Sequence, residues 1–359
     1  MEKLKAGLAA LLLAASAASA ATQGLVPAER VRTSGRMAVA GAADGGWRAT
    51  WPGVNWALRF EGTAVGVRLD DAVNFWVLEL DGQPALQIAP TPGPRTVWLR
   101  GLLPGEHLAR LVKRTESPGS AAQVLGFELE DGGRALTPPI APARRIEFIG
   151  DSYTAAMGNL SPGRDCSGVE ISARTDITQG FGVLTARALG AEWRIHAKSG
   201  AGLVRNWDGG LPEQNFGTHY ARLLQTDPSL RPADDWRPQI VVIGLGTNDF
   251  STAVKPGEPR AAAQLQADFL QAYRALLADL RQRYGDPQIV LLSLPLGQGD
   301  RLRPLVQQLL AEQRAAGHTR IHGLDWGTLR GQGCGSHPDA HDHRQMSEML
   351  LATLQSLEP

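Results

Sequence analysis

Hydrophobic positions recur in this chain with two different rhythms, and the change between them falls near residue 140. From Val31 to about Leu136 the period is two. Val65, Val67 and Leu69 alternate with Gly66 and Arg68; Trp76, Leu78 and Leu80 enclose Val77 and Glu79; Leu125, Phe127 and Leu129 alternate with Gly126 and Glu128. Successive strand residues point to opposite faces, so this alternation predicts half-buried strands. Turn signals separate the runs: Asp44-Gly45-Gly46, Trp51-Pro52-Gly53, Asp81-Gly82, Pro104-Gly105 and Asp131-Gly132-Gly133. Short strands at such spacing imply an antiparallel β-sandwich with no helix of note. The prolines of 137–144 then predict a linker, because proline cannot join a sheet ladder.

From residue 145 strands and helices alternate. The expected strands are Arg145–Ile149, Glu192–His196, Gln239–Ile243, Gln288–Ser293 and Arg320–Asp325. The clearest helix is Ala261–Tyr284, whose apolar face takes Leu265, Phe269, Tyr273, Leu276, Leu277 and Leu280, with Gly285 as its stop. Gln179–Leu189 followed by Gly190 repeats that ending, and a last helix is expected near His341–Leu354. This alternation predicts an α/β domain over 145–359: a parallel sheet covered on both faces, with sites beyond the carboxyl ends of its strands.

Residues 1–20 read as a secretory signal peptide, with a charged start, an apolar stretch from Ala6 to Ala15 and Ala18-Ser19-Ala20 as the cleavage site. The sandwich domain therefore spans 21–136, and the mature protein is expected to be exported, periplasmic or extracellular. Lys plus Arg (36) equals Asp plus Glu (36), so nothing in the charge favours nucleic acid or lipid headgroups. Only Cys166 and Cys334 occur, and in an oxidising compartment an even pair most simply forms one disulfide. One follows the Gly150-Asp151-Ser152 motif and the other precedes His337, so the bridge would tie two site loops together.

The chemistry resides in three stretches. Gly150-Asp151-Ser152-Tyr153-Thr154 follows a strand and lifts a serine hydroxyl to the sheet rim. Gly246-Thr247-Asn248-Asp249 does the same for an amide, and His337-Pro338 precedes the last helix. A nucleophile, an oxyanion donor and a general base describe acyl transfer to water. Backbone N–H groups of Ser152 and of the Ser199-Gly200-Ala201-Gly202 block are further oxyanion donors. Asp249 is expected to hold the Asn248 loop through local hydrogen bonds.

The order Gly-Asp-Ser, glycine block, Gly-Thr-Asn-Asp, His-Pro resembles the SGNH (GDSL) hydrolases. Finer features resemble carbohydrate esterase family two: Arg145-Ile-Glu-Phe-Ile-Gly-Asp-Ser152, Ser199-Gly-Ala-Gly-Leu-Val-Arg-Asn206, Val241-Val-Ile-Gly-Leu-Gly-Thr-Asn-Asp-Phe-Ser251, and in the front half Phe60-Glu-Gly-Thr63 and Val112-Lys-Arg-Thr-Glu116. The resemblance implies a jelly roll fused to a flavodoxin-like hydrolase domain that removes O-acetyl groups from polysaccharides such as xylan and mannan. Carried over by position, Ser152 is the nucleophile, Gly200 and Asn248 form the oxyanion hole, His337 is the base, and Asp151 is structural. Where many SGNH enzymes have an aspartate three residues before the histidine, this chain has Cys334. A Ser–His dyad with a main-chain carbonyl behind the histidine is therefore favoured over Asp339 or Asp325 as third member.

Other readings sit beside this one. His337, His341 and His343 with Asp339 and Asp342 resemble a metal cluster, but Pro338 opposes a helix early enough to align them, and no metal or cofactor is expected. Most tryptophans of a sandwich are core; Trp207 and Trp326, near strand-end loops, are the candidates for the substrate cleft. The expected partner is an acetylated poly- or oligosaccharide, bound by a monomer without membrane insertion. A lipid or aryl esterase, or lysophospholipase, is the competing enzyme. A carbohydrate-binding protein with an idle hydrolase domain is the competing class.

Overall fold

The computed structural model describes residues 24–40, 45–117, 119–297 and 299–357. The signal-peptide expectation for 1–20, and Asp44 of the first turn signal, lie outside the described residues. No helix among the described residues is long and apolar enough to cross a membrane.

The alternating half folds as one antiparallel nine-stranded sheet bent into a sandwich. Its spine is two long strands, Asn55–Asp71 and Thr91–Lys113, paired from Asn55↔Val112 to Asp71↔Thr91. The register jumps from Gly62↔Gly105 to Ala64↔Arg100, so Pro104-Gly105 marks a bulge inside a strand rather than a turn between two. Asp81-Gly82 does form the two-residue turn between Trp76–Leu80 and Gln83–Ile88, with φ of 51° and 83°. Val65, Val67, Leu69, Trp56, Trp76 and Phe127 are buried in the sandwich core. One expected inward position is corrected. Arg68 pairs with Gly126 and Leu69 with Val124, so Leu125 is bulged out and Val124 takes its place in the core.

Trp76–Leu80 is buried on both faces because its outer side meets the second domain. Val77 and Val112 join that domain's apolar core, and Glu79 pairs with Arg187. Arg36, also from the sandwich, reaches the carbonyl of Tyr220 and lies 3.9 Å from Glu147, with both side chains buried. Trp51 Nε1 donates to the Leu223 carbonyl at 2.9 Å, and Trp193 Nε1 returns a bond to Gly53 O at 3.0 Å. Most polar groups withdrawn from water at this seam thus find partners across it, while Arg36 Nη2 and Glu147 Oε2 carry no hydrogen bond among the described residues.

The second half holds five parallel strands: Arg145–Gly150, Glu192–Ala197, Ile240–Gly244, Gln288–Ser293 and Ile321–Asp325. Their spatial order is second, first, third, fourth, fifth, the flavodoxin-like arrangement. Ala262–Tyr284 and Leu302–Ala315 cover one face with Leu265, Phe269, Tyr273, Leu305 and Leu309; Phe181–Ala188 and Ala340–Ser356 cover the other with Phe181, Val183, Met346 and Leu350. Gly285, at φ 82°, stops the long helix where expected. The predicted helix from Gln179 begins as a 3₁₀ turn, Ile177–Gln179, capped by Asp176.

Candidate active site

Ser152 stands two residues beyond Arg145–Gly150, Asn248 follows Ile240–Gly244, and His337 ends the loop before Ala340–Ser356. All three meet at the carboxyl edge of the sheet. Ser152 Oγ and His337 Nε2 are 2.8 Å apart, and His337 Nδ1 is 2.9 Å from the carbonyl oxygen of Cys334. A carbonyl only accepts, so Nδ1 carries the proton and Nε2 faces the serine as an acceptor. Burial pushes the imidazole below its ordinary range, against the pull of its hydrogen bonds to the Cys334 and Gly335 backbone. A neutral, correctly tautomerised base results at neutral pH. Tyr153 packs edge-on against it at 5.3 Å between centroids.

Neither Asp339 nor Asp325 reaches this histidine among the hydrogen bonds of the described residues. Asp339 caps the last helix, accepting from the N–H groups of His341 and Asp342. Asp325 accepts from Ser293 Oγ and the Gly327 N–H. The carbonyl is instead held by its neighbours. Cys334 is joined to Cys166 by a disulfide, its N–H donates to Gly158 O, and Gly335 N–H donates to Arg164 O at 2.7 Å. Gly158, at φ 63°, is required for this approach: a Cβ there would lie 2.4 Å from Cys334 Cβ.

The amide of Asn248 is oriented by two acceptors, Asp151 Oδ2 at 3.1 Å and Ala201 O at 3.0 Å. Both select its nitrogen over its oxygen, and serving an oxyanion requires exchanging one of them. Asp151 is itself buried, and that burial, with Asp249 and Glu116 as like charges, pushes its carboxyl up to about 7. Gly200 occupies a turn at φ 76°, and its N–H and that of Ser152 are engaged by no other backbone group among the described residues. Asp249 holds a segment far from its own loop, accepting the N–H groups of Leu203, Val204 and Arg205 at 2.8–2.9 Å. That corrects the expectation of local bonds: it braces the glycine block against the Asn248 loop.

Trp207 is 59% exposed, and its backbone N–H donates to Gly200 O, so the residue borders the glycine turn. Trp326 is different. It is 5% exposed and packs edge-on against Phe181 in the core, so it is corrected from cleft to core. The histidines and acids around His337 also diverge. Asp342 accepts the N–H groups of Arg330 and Gly331, while His343 is buried and stacked on Phe181, its pKa pushed down to about 4 by burial.

One contributor went unassigned in the sequence. Glu116, on the sandwich, accepts the Ser199 N–H with both carboxylate oxygens at 3.0 and 3.1 Å. Its only signal was membership of the Val112–Glu116 run, which carries no distinctive spacing.

A serine and histidine at the carboxyl edge of a flavodoxin-like sheet, with an antiparallel sandwich in front, define a two-domain SGNH-type hydrolase. Residues 33–139 match the carbohydrate esterase 2 N-terminal family and residues 148–345 the GDSL-like lipase/acylhydrolase family. The chain is 33% identical over 307 residues to an acetylxylan esterase/glucomannan deacetylase of Cellvibrio japonicus (strain Ueda107), covering 85% of this chain and 84% of that one. It superposes with TM-score 0.84 and 30% identity on a carbohydrate esterase whose active site displays divergent catalytic and non-catalytic binding functions, over 93% of this chain and 98% of that one. A family two carbohydrate esterase from Clostridium thermocellum, solved with cellohexaose, gives TM-score 0.81 at 28% identity over 91% and 98%. The chain belongs to carbohydrate esterase family two and is a carboxylic ester hydrolase.

Proposed function

We propose that the protein is an exported serine esterase that removes O-acetyl groups from carbohydrate. Ser152 attacks the acetyl carbonyl while His337 Nε2 takes its proton. The Gly200 and Ser152 N–H groups and the Asn248 amide, once released from one partner, receive the oxyanion. His337 then protonates the departing sugar oxygen, leaving an acetyl-enzyme. The same imidazole deprotonates water, which attacks that ester and frees acetate and Ser152. The carbonyl of Cys334 keeps the tautomer through both halves, so the mechanism is a dyad with a main-chain brace.

The single observation that carries this is the chain Cys334 O, His337, Ser152, at 2.9 and 2.8 Å. The carbohydrate class is supported by the similarity to an acetylxylan esterase/glucomannan deacetylase and by the exposed Trp207 beside the glycine turn. Export is supported by the Ala-rich leader and by the disulfide. The test is acetate release from acetylated xylan and acetylated glucomannan, alongside rates on 4-nitrophenyl acetate and 4-nitrophenyl octanoate. Acetate release with preference for the short acyl chain is expected. Faster octanoate hydrolysis with intact polysaccharides would replace the carbohydrate reading by a lipid or aryl esterase.

A further inference from the structure

The glycine block turns sharply at residues 198–201. Lys198 N–H bonds Gly150 O, Ala201 N–H bonds Lys198 O, and Gly200 sits at the third position with φ 76°. The Gly200 N–H belongs to the central Ser199–Gly200 peptide of this turn, so its place follows from what holds Ser199. What holds it is a residue of the other domain. Both oxygens of Glu116 take the Ser199 N–H, and Glu116 cannot drift, because its neighbours are pinned on each side. Lys113, fully buried, donates to Thr115 O, to Asn74 Oδ1 at 2.7 Å and to Thr50 O at 3.3 Å. Arg114 donates to Thr175 O at 2.8 Å, and Ser117 N–H to Thr50 O at 2.9 Å.

We propose that Glu116 is a positioning residue of the reaction: the sandwich aims the Gly200 N–H at the developing oxyanion by fixing the preceding peptide through Ser199. This rests on the function proposed above, and it makes the front domain part of the acyl-transfer machinery as well as a neighbour of it. An oxyanion donor stabilises the transition state more than the ground state, so its misalignment lowers kcat and spares KM. Misplacement of about 1 Å costs up to roughly 10²-fold.

The experiment uses the full chain with Glu116→Ala, Glu116→Asp and Glu116→Gln. Steady-state kinetics are measured on 4-nitrophenyl acetate, the fraction of reactive Ser152 by phosphonate titration, and the thermal midpoint in parallel. Per titrated site, kcat should fall about 10- to 100-fold in Glu116→Ala, with KM within about twofold. Glu116→Asp, one methylene short, should also lose activity, whereas Glu116→Gln, which keeps an acceptor at full length, should recover most of it. Wild-type kcat in Glu116→Ala, or in Glu116→Asp should Glu116→Ala not fold, overturns the proposal. So does a loss that disappears once corrected for reactive sites, or one confined to KM. A Ser152→Ala variant as active as the wild type would instead sink the parent reading, so the two failures are distinguishable.

Discussion

The two domains hide their polar groups in different places, and the difference separates framework from chemistry. In the sandwich, Lys113, Asn74, Asp71 and Glu79 are buried beneath the surface that meets the hydrolase domain. Each is spent on another protein group. In the hydrolase domain, Asp151, Asn248, Asp249 and Ser152 are buried at the carboxyl edge of the sheet, where the Ser152 N–H is engaged by no backbone group among the described residues and the Asn248 amide can exchange a partner. Fully paired groups confer rigidity; partly committed groups confer reactivity. A domain of the first kind can serve one of the second only through contacts at the seam, of which Arg36 to Glu147 and Glu116 to Ser199 are the polar examples nearest the first strand and the glycine turn.

That contrast can be broken by substitution, and the largest effect is expected at the nucleophile. Ser152→Ala should lower kcat by roughly 10⁴- to 10⁶-fold while leaving the thermal midpoint within a few degrees. Residual acetate release above about 1% of wild type would mean another group attacks the ester. Arg36→Ala should do the converse. It leaves the Glu147 carboxylate buried and without its sandwich partner, a change that costs about 3–5 kcal/mol. Chemical denaturation should report that loss, with kcat per folded molecule little altered. An unchanged unfolding midpoint would show that His196 and Tyr220, which also bond Glu147, satisfy its carboxylate without Arg36.

The pH profile sharpens the comparison further. Burial holds the His337 pKa below its ordinary 6.5, and only the neutral ring accepts a proton from Ser152. As pH falls through that lowered value the base becomes charged, so kcat/KM should be flat above pH 7 and decline on an acidic limb centred below 6.5. A limb above 6.5 would mean that a carboxylate governs the profile, either one at Nδ1 or Asp151 behind the Asn248 amide, whose carboxyl lies at about 7. The smallest effects are expected from Asp339→Asn and Asp325→Asn, each within about threefold in kcat, against the 10⁴-fold drop seen when a triad aspartate is neutralised. Asn caps a helix about as well as Asp, so loss of the Asp339 cap calls for Asp339→Ala, which should appear as about 1 kcal/mol of stability.

Much of this was legible because the relevant physics is local. Period-two alternation announced the strands, and glycine stops at Gly190 and Gly285 announced the helix ends. The Ser, Asn and His stretches were readable because each follows a strand or precedes a helix. What escaped was set by the third dimension. Leu125 follows the alternation of its neighbours, but one extra residue at the Arg68–Leu69 register shift turns it outward. Trp326 sits just past a strand end, as a cleft residue would, yet its direction is fixed by Phe181, far away in sequence. Glu116 lies in the Val112–Glu116 run that resembles the family, yet its role was not readable there, because its partner, the Ser199 N–H, is a backbone group present at almost every residue.

The support behind His337 is a peptide oxygen, and this has a consequence for how the protein tolerates change. A carboxylate in that role is erased by one codon, whereas every residue type at position 334 presents the same atom. Damage therefore has to arrive indirectly, by letting the strand of chain carrying that oxygen wander. The vulnerable features are accordingly the anchors: the Cys166–Cys334 bridge, which a change at either cysteine removes, and Gly158.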